Sequence, residues 1–153
     1  MADINPRRVE QQIRNFQKAI TAYNYNEPFA RFISQFFKNN RQMGSSDRRM
    51  TSRLCYNYFR LGKGFRKLEP LERLTVAEFL CEQYSDLVAL YQPTWTVSQT
   101  LSIVEKVSFL ATIYGSKLID EVIPFSNELS TGIDRDTFLI SHFVQPDLFI
   151  RVK

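Results

Sequence analysis

Apolar residues recur along this chain with the period of a helix. Val9, Ile13, Phe16, Ile20 and Tyr23 follow at 4-3-4-3 spacing and make one stripe on a helix of about five turns. Asn5 and Pro6 read as its cap and first helical residue. Asn24 to Glu27 is a break. Pro28 starts a second helix with Phe29, Phe32, Ile33, Phe36 and Phe37 on one side, a packing face rather than a ligand site. Asn39 to Gly44 ends it. A third helix begins at Ser45 or Ser46, either of which can cap free backbone N–H groups, with Asp47 in the first turn where the helix dipole favours an anion. Met50, Leu54, Tyr58 and Leu61 form its buried stripe, and Gly62 and Gly64 close it.

Pro70 opens a fourth helix with Leu71, Leu74, Ala77, Leu80, Cys81 and Tyr84 on one stripe. Ser85 to Tyr91 suits a short helix that Gln92-Pro93 interrupts. Val97, Leu101, Val104, Val107 and Leu110 or Ala111 form another amphipathic stretch, broken near Gly115. Lys117 to Ile123 is a further short turn closed by Pro124. Asp134 caps a last helix running to Phe143, and Pro146 stops it. The pattern predicts an all-α bundle of about seven helices, with Phe32, Phe36, Leu54, Tyr58, Leu80 and Leu101 inside. The tail Leu148 to Val152 alternates as a strand does, but no partner strand is evident. A lone strand cannot satisfy its backbone groups, so it is expected to be an extended tail or to continue into a sheet elsewhere.

Composition narrows the picture little. At 153 residues the chain suits one domain with a real core, and 13 Phe against five Gly favour packed helices. No apolar run approaches the ~18 residues of a membrane span, and MADINPRRVEQQ lacks an apolar signal region, so a cytoplasmic, non-membrane protein is expected. Cys55 and Cys81 read as buried free thiols.

Charge changes the picture more. Lys38 to Lys67 holds nine Lys or Arg and one acidic residue, while the remainder holds 11 basic and 15 acidic residues. A chain of net charge +4 has therefore concentrated its positive charge in one segment, which attracts a polyanion. Aromatic residues, Tyr56 among them, interleave with the cations. Arg49, Arg53 and Arg60 are spaced by four and seven and share one side of the third helix. The candidate RNA contacts are Arg41, Arg48, Arg49, Arg53 and Arg60, with Lys63 and Arg66 outside them. An alternative for one of Arg48 and Arg49 is to pair with Asp47 and hold the loop. Tyr56 can stack on a base or pack. Arg7, Arg8, Arg14 and Lys18 suit either an extension of the basic surface or plain solvation.

Catalytic patterns are missing. Gly62-Lys63-Gly64 lacks the rest of a nucleotide fingerprint. No Cys, His, Asp and Glu set has metal spacing. The one histidine, His142, reads as a partly buried surface residue, and Asp120 and Glu121 are adjacent and diverge on a helix. The chain alone is not expected to be an enzyme.

Two stretches carry a resemblance. Gln42-Met43-Gly44-Ser45-Ser46-Asp47-Arg48-Arg49, followed by Leu54-Cys55-Tyr56-Asn57-Tyr58-Phe59-Arg60-Leu61-Gly62, resembles the amino-terminal domain of RsmB/Sun-type (Fmu) RNA cytosine-C5 methyltransferases, in the form found in the Bacteroidetes branch. There a "DRR" helix start leads to a "VY…R" helix. Gln145 to Val152 resembles the "P…LRVN" segment that leads into the catalytic half, although Val152-Lys153 departs from the usual Arg-Val-Asn. The resemblance implies a NusB-like helical RNA-binding domain over 1–144 and a linker or strand over 145–153. A catalytic domain with S-adenosylmethionine and two catalytic cysteines would lie beyond Lys153. Cys55 and Cys81 do not match those cysteines, and no cofactor or metal is expected in this chain. The implied partners are RNA, ribosomal in kind, and the chain's own catalytic domain. Two alternatives stand beside this: a helical protein-interaction module docking on that catalytic domain or on an acidic partner, and a stand-alone antitermination-like RNA-binding factor.

Overall fold

The computed structural model describes residues 3–122 and 128–144. Among these, eight α-helices and one 3-10 turn form an all-helical bundle, without strands. The helices are α1 (Pro6–Ala22), α2 (Phe29–Asn39), α3 (Ser45–Arg60), α4 (Pro70–Cys81), α5 (Asp86–Tyr91), α6 (Ile103–Tyr114), α7 (Ser116–Asp120) and α8 (Arg135–Ser141), with the 3-10 turn over Pro93–Ser98 between α5 and α6. Pro124, Pro146 and the tail Leu148–Val152 lie outside the described residues.

Local chemistry sets most boundaries. Asn5 caps α1 by accepting from the Arg8 backbone N–H at 3.4 Å. Ser85 caps α5, Ser102 caps α6 and Asp134 caps α8 in the same way. The start of α3 differs from expectation. Ser45 is its first helical residue and Gly44 occupies the cap, so neither serine side chain does the capping.

Helix α4 organises the packing. Every residue from Arg73 to Leu80 is buried, including Arg73, Thr75 and Glu78. One apolar cluster joins α1, α2 and α3 through Val9, Ile13, Phe16, Ile33, Phe36 and Leu54, and takes in Leu74 from α4 and Leu87 from α5. The other joins Val76, Phe79 and Leu80 of α4 to Leu61, Phe65, Trp95, Leu110 and Phe143. Thus α4 is the common wall of both. Its buried arginine is satisfied: Arg73 Nε donates to Gly64 O at 3.0 Å and Nη2 to Gly62 O at 2.6 Å, with the guanidinium 4.5 Å from the Tyr58 ring centroid.

Several burial expectations need correction. Phe36, Leu54 and Leu80 are buried, but Phe32 and Tyr58 are half-buried and Leu101 is exposed. Val97 is 85% exposed. The stripe from Val97 to Leu110 crosses a helix boundary: α6 starts at Ile103 behind the Ser102 cap, so Val97 lies in the preceding 3-10 turn and Leu101 in the link between that turn and α6, and neither follows the phase of α6. Tyr84, placed on the buried stripe of α4, lies beyond the helix end, exposed, with its hydroxyl 2.6 Å from Asp86.

Candidate nucleic-acid interface

The basic side of α3 faces an open cleft of about 610 Å³ lined by Phe37, Arg48, Arg49, Ser52, Arg53, Tyr56, Asn57, Arg60 and Glu82. At 3.6 residues per turn, positions 49, 53, 56 and 60 fall within about 60° of arc. Helix α3 can present that face because its opposite side, through Leu54 and Cys55, is buried with α1 and α2. The C-terminal turn of α2 supplies Phe37, and the end of α4 supplies Glu82.

The four arginines of the cleft do not carry the same charge into it. Arg48 holds the α2–α3 loop: Nε donates to Met43 O at 2.9 Å and Nη2 to Phe37 O at 3.5 Å, and the guanidinium lies 5.8 Å from the Phe37 ring. Arg48 thus binds backbone carbonyls, and the alternative pairing of Arg48 or Arg49 with Asp47 does not occur. Arg53 is neutralised. It approaches Glu78 at 3.3 and 2.9 Å, Glu82 at 3.2 Å and the Tyr84 carbonyl at 3.3 Å. Burial disfavours its charge, yet Glu78, Glu82 and Asp86 outweigh that and raise its pKa. Glu78 itself is 1% exposed and also accepts from Asn57 Nδ2 at 2.7 Å and Ser85 Oγ at 3.1 Å.

Arg49 and Arg60 are the cations left over. Arg49 is exposed and Arg60 half-buried, and neither makes an ion pair among the described residues. Their Cα atoms stand about 16 Å apart along α3, at 1.5 Å per residue. Tyr56 sits between them, 41% exposed, its ring perpendicular to that of Phe29 at 5.3 Å. The remaining candidates stay outside the cleft lining. Arg41 is exposed on the α2–α3 loop, Lys63 is exposed on the turn after α3, and Arg66 lies 3.8 Å from Glu121. On α1, Arg8 reaches Ser46 of α3 at 3.5 Å, one turn from Arg49.

The cysteines, acidic pair and histidine singled out in the sequence lie elsewhere than in the cleft lining. Cys55 and Cys81 are free, and burial pushes both thiols up to about 12. Asp120 and Glu121 diverge, the first to Arg135 at 2.6 Å and the second to Arg66. His142 is half-buried with Nδ1 2.9 Å from Phe138 O. No group of three or more His, Cys, Asp or Glu that could hold a metal occurs among the described residues, and no helix there is long and apolar enough to cross a membrane.

Sequence reasoning missed Phe37, Ser52, Asn57, Glu78 and Glu82. A signal for the buried carboxylate was present: α4 is apolar on nearly every side, and a charge on such a helix needs a partner. What emerges is a helical bundle with a cationic, aromatic-lined cleft. The chain matches no protein-family model, and neither a curated protein nor a solved structure is significantly similar to it.

Proposed function

We propose that this chain binds structured RNA as the amino-terminal domain of an S-adenosylmethionine-dependent RNA cytosine-C5 methyltransferase. On this reading the fold is NusB-like, the RNA is ribosomal, and residues 145–153 lead to the catalytic domain that receives it in the cytoplasm. The cofactor belongs to that domain. The resemblance of Gln42–Arg49 and Leu54–Gly62 to Sun/Fmu-type enzymes supports the identity. Those stretches form the loop, the start and the second half of the helix that fronts the cleft.

One observation carries the binding reading: Arg49 and Arg60 stand on one face of α3 without acidic partners among the described residues, while Arg48 and Arg53 are consumed internally. Two such cations contact phosphates, which gives salt-dependent and weakly sequence-specific affinity. The test is the double variant Arg49→Gln/Arg60→Gln, titrated with a labelled ribosomal RNA hairpin at several salt concentrations. Affinity should fall, and the slope of log K against log salt should flatten by about 1.4–1.8, the contribution of two phosphate contacts. A variant that melts like the parent and binds RNA with the same affinity and slope refutes the proposal. If that variant instead loses affinity for a separately produced catalytic domain, the face is a docking site for protein.

A further inference from the structure

The shape of the cleft says more than its charge. A flat cationic face suits the regular surface of a duplex, whereas this face is concave and has aromatic side chains within it. Tyr56 and Phe37 both line the hollow, and Ser52 and Asn57 add polar groups beside them. The volume of about 610 Å³ falls within the range of pockets that enclose a small molecule. Tyr56 rests in perpendicular contact with Phe29 at 5.3 Å, and 41% of it stays exposed. An exposed ring between two uncompensated arginines is the arrangement that receives a base stacked out of its helix.

We infer that the cleft takes one unpaired nucleotide of a structured RNA, its base stacked on Tyr56 and its flanking phosphates held by Arg49 and Arg60. This rests on the RNA-binding reading and names the RNA feature recognised. Tyr56 lies seven residues from Arg49 and four from Arg60, about 10 and 6 Å along the helix axis. The base therefore enters between the two phosphate contacts rather than beyond either. Arg53, tied to Glu78 and Glu82, forms a wall of the hollow and contributes little net charge. Stacking tolerates any base, since each has a π-face, so the site selects an unpaired nucleotide more than its identity.

The experiment compares two labelled RNA hairpins of closely matched length and charge, each closed by the same non-nucleotide linker so that no loop base is unpaired, one fully paired and one with a single-nucleotide bulge, made with each of the four bases. The parent chain should bind the bulged hairpins more tightly. Tyr56→Ala should weaken binding to them by about 5- to 150-fold, the effect of losing one base–aromatic stack, and leave the paired hairpin within about twofold of the parent, a change too small for a lost contact. Tyr56→Phe should keep the preference. Tyr56→Trp guards against a folding artefact: it should also keep the preference, and its fluorescence should quench on the bulged hairpins alone, against the buried Trp95 background. If Tyr56→Ala and the parent discriminate equally while Arg49→Gln still weakens both hairpins, this inference is overturned and the RNA-binding reading stands. If the parent binds neither hairpin, both fall.

Discussion

Replacing Glu78 by Gln would probe the buried carboxylate behind the cleft. In the parent chain, Glu78 Oε1 receives Arg53 Nη2 at 2.9 Å and Ser85 Oγ at 3.1 Å, and Oε2 receives Arg53 Nε at 3.3 Å and Asn57 Nδ2 at 2.7 Å. Glutamine keeps the shape, but its NH₂ would face donors on one of those two sides. Removing one member of a buried pair costs about 3–5 kcal/mol. Arg53 is 32% exposed and retains Glu82 at 3.2 Å, so solvent and the second carboxylate soften the loss. The expected cost is thus near the lower bound, about 3 kcal/mol, or a fall of about 6–12 °C in Tm for a chain of this size. Equilibrium urea unfolding would read it through Trp95, the one tryptophan, which is 4% exposed and packs 5.3 Å from Phe79 next to Glu78. Arg53→Gln should cost a similar amount, and the double variant should cost less than the sum of the singles by more than about 1 kcal/mol. A Glu78→Gln loss below about 1 kcal/mol, with an unchanged m value, would refute the claim that this pair holds α3 on α4.

Four further outcomes are expected. Leu54→Ala should destabilise by about 2–5 kcal/mol through a core cavity, whereas Leu101→Ala should stay within about 0.5 kcal/mol because its site is exposed; urea midpoints decide both. Gly62 has φ +54° and a Cβ there would meet the Val122 carbonyl at 3.2 Å, so Gly62→Ala should cost about 1–2 kcal/mol in the same assay. Burial raises the thiols of Cys55 and Cys81 from 9.0 to about 12, so the fold favours their protonated form. That contribution is intact below pH 9 and is lost as pH climbs towards 12; Cys55→Ala should flatten the fall in the urea midpoint over this window. Finally, the chain should show no saturable S-adenosylmethionine binding at ~micromolar affinity in calorimetry, about −8 kcal/mol.

The helices were legible where the deciding chemistry is local. Asn5-Pro6, Ser85 and Asp134 announce helix starts whatever the rest of the chain does, and the phase of the arginines on α3 follows from their spacing. What escaped the sequence depends on distant partners. Whether Arg53 is a free cation is settled by Glu78, 25 residues on, reaching it from another helix. Arg48 is taken up by one carbonyl of the α2–α3 loop and one of the last turn of α2, whose approach no spacing reveals. The misplaced Leu101 shows the opposite failure: a 3-4 rhythm can run by chance across a turn into a helix of another phase.

The sharing of α4 bears on divisibility. A cut between Lys67 and Pro70 looks natural, since it parts α1–α3, with the whole basic segment, from the later helices. Yet the apolar cluster of α1–α3 includes Leu74 and Leu87, which that cut removes. The carboxylates that fix Arg53 would leave with them. The severed piece would keep the charged helix but lose the wall that aims it, so the smallest unit able to display the cleft extends at least through α5.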